Sequence, residues 1–271
     1  MAGALAKREI VVPNVPALAM AKGFTKYKPE EEKAVRKAEV EENETLRQLK
    51  AAWKAVEYAR NQRRRIPDYS WQHCYEKASE LAKQVDYSAE DVERFSIALA
   101  EFQGEEEFSE KAGLFLSALI NNGKDSDYVI HTEHLGEGIH RIGWMNTKNI
   151  IVKGDVSESG RDMADGELIV RGNARNGLGV RMEGGRITVK GDSCGLAGYG
   201  MQGGAIIVEG NAADSVGLRM EGGTITVKGN AGKEIGQLMN GGEIHIEGKF
   251  KDVGNVIHGK IFHKGVKIID R

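Results

Sequence analysis

Imidazole and carboxylate side chains are concentrated in one short segment near the middle of the chain. The segment contains His131, Glu133, His134, Glu137 and His140. Imidazoles and carboxylates held close together are ordinary ligands of zinc and iron. The spacing matches no metal motif with a known mechanism, so we interpret the segment as a polar connection. His131, His134 and His140 are its weak candidates for metal ligands, and the corresponding hypothesis is an enzyme that acts at this junction.

The other reactive groups favour structural interpretations. Glycine-rich turns fill the second half of the chain, but strands rather than helix N-termini follow them, so we predict no nucleotide phosphate site. Cys74 and Cys194 lie far apart and outside any C-x-x-C pattern, which indicates reduced thiols rather than a disulfide or a zinc knuckle. Cys194 has no paired base, so we interpret it as structural. The sequence therefore predicts no catalytic residue and no cofactor.

Charge and hydropathy argue against two classes of partner. The chain has 38 Lys and Arg against 40 Asp and Glu, a net charge of -2, which disfavours nucleic acid and anionic membranes. A basic run at Arg60 and residues 63–65 could contact RNA, but cations at the C-terminal end of a predicted helix are favoured by the helix dipole. No segment reaches the roughly 18 apolar residues of a membrane span, and no signal peptide pattern is found. We predict a cytoplasmic protein.

The elements that position these groups divide into three predicted regions. Residues 1–28 contain two prolines and no helical stripe, which predicts an extended N-terminal arm. Residues 29–125 show apolar residues at helical spacing, which predicts an α-helical module of about four helices. These helices are predicted from Pro29 to about Arg65, from about Ser70 to Val85, from a capping box at Ser88 to about Phe102, and from about Glu105 to a C-cap at Gly123. Residues 126–271 form the third region, in which the helical period disappears.

A 19-residue repeat replaces the helical period in this third region. Three sets of residues recur in phase: Gly166, Gly185, Gly204, Gly223 and Gly242; Gly160, Gly179, Gly198, Gly217 and Gly236; and Met163, Met182, Met201, Met220 and Met239. A short fixed period of this kind is typical of a solenoid. The methionines are predicted to fill gaps in the core rather than to bind a metal.

Each repeat contains one strand with alternating inward and outward residues. The predicted interior columns are Leu168, Ile187, Ile206, Ile225 and Ile244, and Val170, Val189, Val208, Val227 and Ile246. Coils that run in one direction pair in parallel, so the sequence predicts a parallel β-helix of about seven coils. Gly-Asn or Gly-Asp pairs such as Gly191-Asp192 are expected to turn the corner with positive φ and to form a side-chain ladder, and a second short strand is expected near Leu178-Gly179.

The outward position between the interior columns carries the most informative residues. It is occupied by Ile151, Ile169, Thr188, Ile207, Thr226 and His245. Three isoleucines there would face water in an isolated solenoid, so we predict that Ile151, Ile169 and Ile207 form a partner face, covered by the helical module or by another subunit. The neighbouring charge column of Arg171, Lys190, Glu209, Lys228 and Glu247 is predicted to be a solvated face that fixes the register.

The repeat also resembles a known family. The pattern Val/Leu-Gly-x-x-Met-x-Gly-Gly-x-Ile-x-Val-x-Gly-Asn, seen from Val216-Gly217 to Gly229-Asn230, resembles the C-subunit family of formylmethanofuran dehydrogenase and its formyltransferase/hydrolase relatives. It is also similar to the C-terminal GXGXG domain of the glutamate synthase large subunit. The resemblance covers residues 128–268. It implies a right-handed β-helix that holds other subunits or domains together without catalytic residues of its own.

Three functions follow as expectations. The first is a non-catalytic scaffold or interaction subunit of a multi-subunit enzyme, an oxidoreductase or formyl-transfer complex, with other protein subunits as partners. Within the same superfamily, the alternative is a glutamate-synthase-related β-helix protein. The second function is a stand-alone protein-binding module that associates with itself. The third is the enzyme at the histidine junction described above.

Overall fold

The computed structural model describes residues 42–57, 70–136 and 138–271. Its helices are α1 (Glu44–Ala55), α2 (Ser70–Ala82), α3 (Ala89–Ala98), a 3-10 turn (Leu99–Phe102) and α4 (Phe108–Asn122). The predicted N-terminal arm, the arginine run at residues 60–65 and Glu137 lie outside the described residues. None of the described helices has both the length and the apolarity needed to cross a membrane.

The prediction of one long helix from Pro29 to Arg65 is wrong. The helix α1 begins at Glu44, because Asn43 has an extended backbone (φ -93°, ψ 176°) and its side chain caps the first turn. The Asn43 side-chain oxygen accepts a hydrogen bond of 2.8 Å from the Leu46 N–H. The helix ends at Ala55, since Val56 returns to an extended conformation. Asparagine is among the preferred N-cap residues, and this local signal outweighs the longer apolar pattern.

The starts and ends of the later helices are closer to prediction. The capping box at Ser88 is confirmed, because the Ser88 and Asp91 side chains each accept a hydrogen bond from the other residue's backbone. The helix α4 ends at Asn122, and its C-cap residue Gly123 has φ -72° and is therefore not a left-handed cap. A Cβ atom added at Gly123 would lie 2.0 Å from the Tyr128 hydroxyl oxygen. Glycine is needed here for close approach rather than for its backbone freedom.

An aromatic cluster forms the centre of the helical module. The Trp53 ring lies between 5.4 and 6.3 Å, centroid to centroid, from the rings of Phe95, Phe102, Phe108 and Phe115. These five rings come from α1, α3, the 3-10 turn and α4, so a single buried indole joins most of the module. The described helices thus share one apolar core.

The chain after Asp127 forms a parallel β-helix of about seven coils, which confirms the predicted fold class. Its nine-stranded sheet contains, in spatial order, β1 (Asp127–His131), β3 (Asn149–Lys153), β5 (Glu167–Val170), β6 (Arg186–Val189), β7 (Ala205–Val208), β8 (Thr224–Val227), β9 (Asn240–Ile246), β10 (His258–His263) and β11 (Val266–Asp270). The short strands β2 (Ile139–His140) and β4 (Val156–Ser157) pair separately. All neighbours in the large sheet are parallel except β10 and β11, which form an antiparallel hairpin that the repeat pattern did not predict.

The interior columns stack as predicted. Leu168 pairs with Ile187, Ile187 with Ile206, and Ile206 with Ile225, each one repeat apart. All members of both aliphatic columns are buried, and so are all five repeated methionines. The methionines therefore fill the core, as expected for a flexible side chain in an irregular space.

The predicted second strand after each corner is wrong. Leu178 and Gly179 lie in a turn rather than a strand, because Gly179 and Arg181 have φ values of 62° and 53°. Two left-handed residues so close together bend the chain away from an extended path. Apart from the short pair β2 and β4, parallel pairing outside the large sheet consists, in the described residues, of isolated bridges: one series joins Val156, Ala174, Ser193 and Ala212, and one bridge joins Ile235 to Val253.

The corner glycines act differently from the prediction. Gly191 and Gly210 do not have positive φ; instead, a Cβ atom on Gly210 would lie 2.3 Å from the Asp192 side-chain oxygen. That oxygen accepts hydrogen bonds from the Asn211 N–H at 2.6 Å and the Asn211 side-chain amide at 3.0 Å. The predicted side-chain ladder is therefore confirmed, and the glycines make room for it.

The helical module packs on the N-terminal end of the solenoid. Helix α3 contacts β1, and α4 contacts β2. A Cβ atom on Gly113 of α4 would lie 1.6 Å from the His140 carbonyl oxygen, so the two backbones are nearly in contact. The buried Ser117 hydroxyl donates to the Gly113 carbonyl at 2.7 Å and accepts from the Gly143 N–H at 3.0 Å. The module is placed as a cap on the first coil, a common need of solenoid ends.

Candidate docking face

One line of outward side chains crosses the large sheet from end to end. We call it the outer row; its members are Val129, Ile151, Ile169, Thr188, Ile207, Thr226, His245 and Phe262, each paired with the next. Its members are half-buried apart from Thr188, which is nearly covered. At about 4.8 Å per strand, the row is about 34 Å long. It therefore presents a continuous, largely apolar line on one face of the sheet.

The row is longer than the sequence repeat indicated. Val129 and Phe262 extend it by one strand at each end, and Phe262 stacks on His245 at 4.5 Å with nearly parallel rings. The 19-residue period could not reveal them, because Val129 pairs with Ile151 across 22 residues and Phe262 pairs with His245 across 17. An alternating strand pattern at residues 127–131 was the signal that could have found the first.

A basic border runs along one side of the outer row. It consists of the residues two positions after each member: His131, Lys153, Arg171, Lys190, Glu209, Lys228, Glu247 and Lys264. Lys190 and Lys228 both approach the Glu209 carboxylate, at 2.8 and 3.5 Å. The hydrogen bond from Lys190 lowers the pKa of the Glu209 carboxyl group. Five basic residues against two glutamates leave this border with a net positive charge.

The described helices leave most of the outer row uncovered. Their extensive contacts with the strands of the solenoid are those of α3 with β1 and of α4 with β2. The Glu93 carboxylate of α3 reaches only as far as Lys153 of β3, at 3.9 Å. Ile169 and Ile207 belong to β5 and β7, further along the solenoid. Within the described ranges, the structure thus presents two of the three predicted partner-face isoleucines without a helix above them.

The three candidate histidines join the helical module to the solenoid. His131 Nε2 lies 2.8 Å from a Glu93 oxygen of α3, and His140 Nδ1 lies 3.1 Å from a Glu110 oxygen of α4. The hydrogen bond from His140 lowers the pKa of the Glu110 carboxyl group. His134 is partly buried, and desolvation lowers the pKa of its imidazole. The structure therefore directs His131 and His140 to two different helices, α3 and α4.

The structure also describes the side chains that could bind a metal and the two cysteine thiols. Within residues 42–57, 70–136 and 138–271, no group of three or more His, Cys, Asp or Glu side chains is arranged to hold a metal ion. Cys74 and Cys194 are free thiols. Burial raises the pKa of Cys74 to about 12 and also raises that of Cys194. Both thiols thus favour the protonated form at neutral pH, which is the unreactive one.

An open cleft lies between α2 and α4, on the helical module. Its volume is about 500 Å³, and its lining includes Tyr75, Ser79, Lys83 and Asn121. The Ser79 hydroxyl and the Asn121 side-chain oxygen are buried without a hydrogen-bond partner among the described residues. The cleft is wide and open to solvent.

Comparisons with known proteins leave the family open. Neither protein-family models nor curated proteins give a match to the chain. The outer row is therefore the feature from which a function can be inferred.

Proposed function

We propose that this chain is a non-catalytic, cytoplasmic scaffold subunit of a multi-subunit enzyme, with a role similar to that of the C-subunit family of formylmethanofuran dehydrogenase. The glutamate synthase GXGXG domain is the related alternative within the same superfamily. The single observation that supports the proposal is the outer row, in which Ile169 and Ile207 lie on a sheet face away from the described helices.

The outer row would gain stability from a partner. Half-exposed aliphatic side chains in a continuous line favour association, because burial of apolar surface contributes about 25 cal/mol per Å². The basic border beside the row supplies charge that orients a partner with acidic groups. A partner that lies along the row would contact several coils at once.

Rigidity is the second requirement of a scaffold. Each coil is bonded to the next by backbone hydrogen bonds, for example the Lys190 N–H to the Val170 carbonyl at 2.9 Å and the Glu209 N–H to the Val189 carbonyl at 2.9 Å. The stacking of the interior columns and the side-chain ladder favour the same register as these backbone hydrogen bonds. A partner bound at one coil is therefore held at a defined distance from a partner bound at another.

The proposal is tested by affinity purification of the tagged chain from its native source, with quantitative mass spectrometry. We expect the wild-type chain to retain larger catalytic subunits in a fixed ratio. The double variant Ile169→Lys/Ile207→Lys, which places two charges in the outer row, should lose at least nine-tenths of them. Leu196→Lys, an exposed leucine outside the row, is the matched control and should retain them. Recovery of the chain without other subunits would contradict the proposal.

A further inference from the structure

The two edges of the large sheet differ in whether another element of the described chain covers them. At the N-terminal edge, α3 covers β1: the His131 N–H donates to the Ser96 hydroxyl at 3.0 Å, and the His131 side chain contacts Glu93. At the C-terminal edge, β11 pairs with β10 on one side only. Among the residues that the structure describes, no strand or helix lies against its other side. The peptide groups along that side are available to another strand.

Exposed apolar side chains are concentrated at the same edge. Val266 and Ile268 of β11 are 65% and 40% exposed, and Ile257, just before β10, is 47% exposed. The other large apolar side chains with comparable exposure in the described part of the chain are Met145 and Leu196, which lie singly elsewhere. An open strand edge with adjacent apolar surface is a site for strand addition.

The charges on β11 identify the strand that fits. The register of the hairpin pairs Ile261 with Ile269 and Phe262 with Lys267, so Ile268 is an extra, bulged residue. The bulge places Lys267 and Asp270 on one face, where they contact each other. An antiparallel copy of the same strand, centred between Ile268 and Ile269, would place each Lys267 opposite the Asp270 of the other copy. The edge is therefore complementary to itself.

We infer that β11 pairs with β11 of a second copy of this chain around a twofold axis. The two nine-stranded sheets then continue into each other, and the apolar side chains at the end of each solenoid are covered. The helical modules do not interfere, because they lie at the opposite ends, about 38 Å from the joint. A twofold contact of this kind closes on itself and stops at a dimer. The inference is independent of the proposed scaffold function, since it uses a different surface.

Light scattering coupled to size-exclusion chromatography of the purified full chain tests the inference, over protein concentrations from micromolar to millimolar. The wild-type chain should have twice the mass of one chain. Ile268→Lys, which places two like charges near the twofold axis, should weaken the dimer at least tenfold. The matched control Leu196→Lys, of similar exposure, should leave the dimer unchanged. Thermal unfolding of each variant separates loss of the dimer from loss of the fold.

Exchange of the charges of Lys267 and Asp270 provides a second, independent test of the dimer. Asp270→Lys should weaken the dimer because each new lysine faces Lys267 of the other copy, and the double variant Lys267→Asp/Asp270→Lys should restore it. A wild-type chain that stays monomeric at every concentration would overturn the inference and indicate that another segment or protein occupies the edge. A folded Ile268→Lys variant that dimerises as well as the wild type would overturn it as well.

Discussion

Gly198 and Ile225 lie against each other across the interior of the solenoid. A Cβ atom added at Gly198 would come within 2.3 Å of the terminal methyl of Ile225. The same contact recurs between Gly160 and Ile187 at 2.4 Å, and equivalent contacts occur in the next coils. Each of these glycines also has a positive φ. The repeated glycine and the repeated isoleucine are therefore two halves of one packing contact.

Substitution of this glycine should be costly for two separable reasons. Gly198→Ala adds the strain of a left-handed residue, about 1–2 kcal/mol, and an overpacking term of about 1–3 kcal/mol. Gly265 also has a positive φ, of 78°, but an added Cβ there meets nothing within 4 Å. We expect Gly265→Ala to show the strain alone. Urea unfolding measures the free energy of unfolding of both variants. Equal losses of this free energy in the two variants would refute the packing contact.

The side-chain ladder, which is formed by Asn and Asp residues at the corners of the coils, gives a second stability prediction. Asp192 is buried, whereas Asn230, which makes an equivalent bond to the Lys249 N–H at 2.9 Å, is exposed. Asp192→Ala should lower the free energy of unfolding by about 1–3 kcal/mol, because it leaves two partly buried donors of Asn211 without their partner. Asn230→Ala should cost less, since water replaces its oxygen. Asp192→Asn keeps the acceptor and should restore most of the loss in the same unfolding assay.

The close contact between α4 and the first coil can be tested at Gly113. Gly113→Ala forces a methyl group into the His140 carbonyl, and we expect a loss of about 3 kcal/mol or more, because backbone cannot yield as a side chain can. Gly104→Ala is the control, since nothing lies within 4 Å of an added Cβ there. Calorimetry should show a lowered midpoint for the first variant only. A tolerated Gly113→Ala would mean that the module does not pack on the solenoid in this way.

The partly buried His134 predicts a dependence of stability on pH. Burial lowers the pKa of its imidazole below the ordinary value of 6.5. As the pH falls below about 6.5, the unfolded chain gains a proton that folded His134 resists, so the free energy of unfolding decreases. The lowered pKa of Glu110 acts in the same direction but only below its ordinary value of 4.5. His134→Gln should flatten the profile between pH 7.5 and 5.5 in denaturant titrations.

A matched variant makes this pH prediction decisive. His258 is exposed at the start of β10, and His258→Gln should follow the wild-type profile. A wild-type stability that does not change between pH 7.5 and 5.5, or an unchanged slope in His134→Gln, would contradict the assignment of the acid sensitivity to His134.

The features that repeat in phase could be predicted from the sequence. Ile187, Ile206 and Ile225 recur with one spacing, and stacking is the only arrangement in which that spacing places like on like, so the parallel solenoid and its core could be predicted. The outward isoleucines followed from the same alternation. Irregular steps were missed: β1 is 22 residues before β3, and β11 reverses direction after Gly265. A period carries no information about a coil that departs from it.

The local backbone could not be predicted from residue type alone. Arg181 and Arg219 have φ values of 53° and 56° although nothing in their side chains favours a left-handed backbone. The hydrogen bonds of the Arg181 N–H to the Tyr199 carbonyl and of the Arg219 N–H to the Gln237 carbonyl, both at 2.9 Å, hold them there. Neighbouring coils impose this conformation, so it exists only after stacking.

A chain that serves as a scaffold for other subunits should be found in its native source as part of a larger assembly, so the size of the endogenous protein is a direct test. A freshly prepared native extract should be separated by size-exclusion chromatography, and the chain detected in each fraction with a specific antibody. We predict elution together with larger proteins, at a mass well above that of a dimer of this chain. Elution of all the endogenous protein at the mass of one or two chains would rule out a scaffold role.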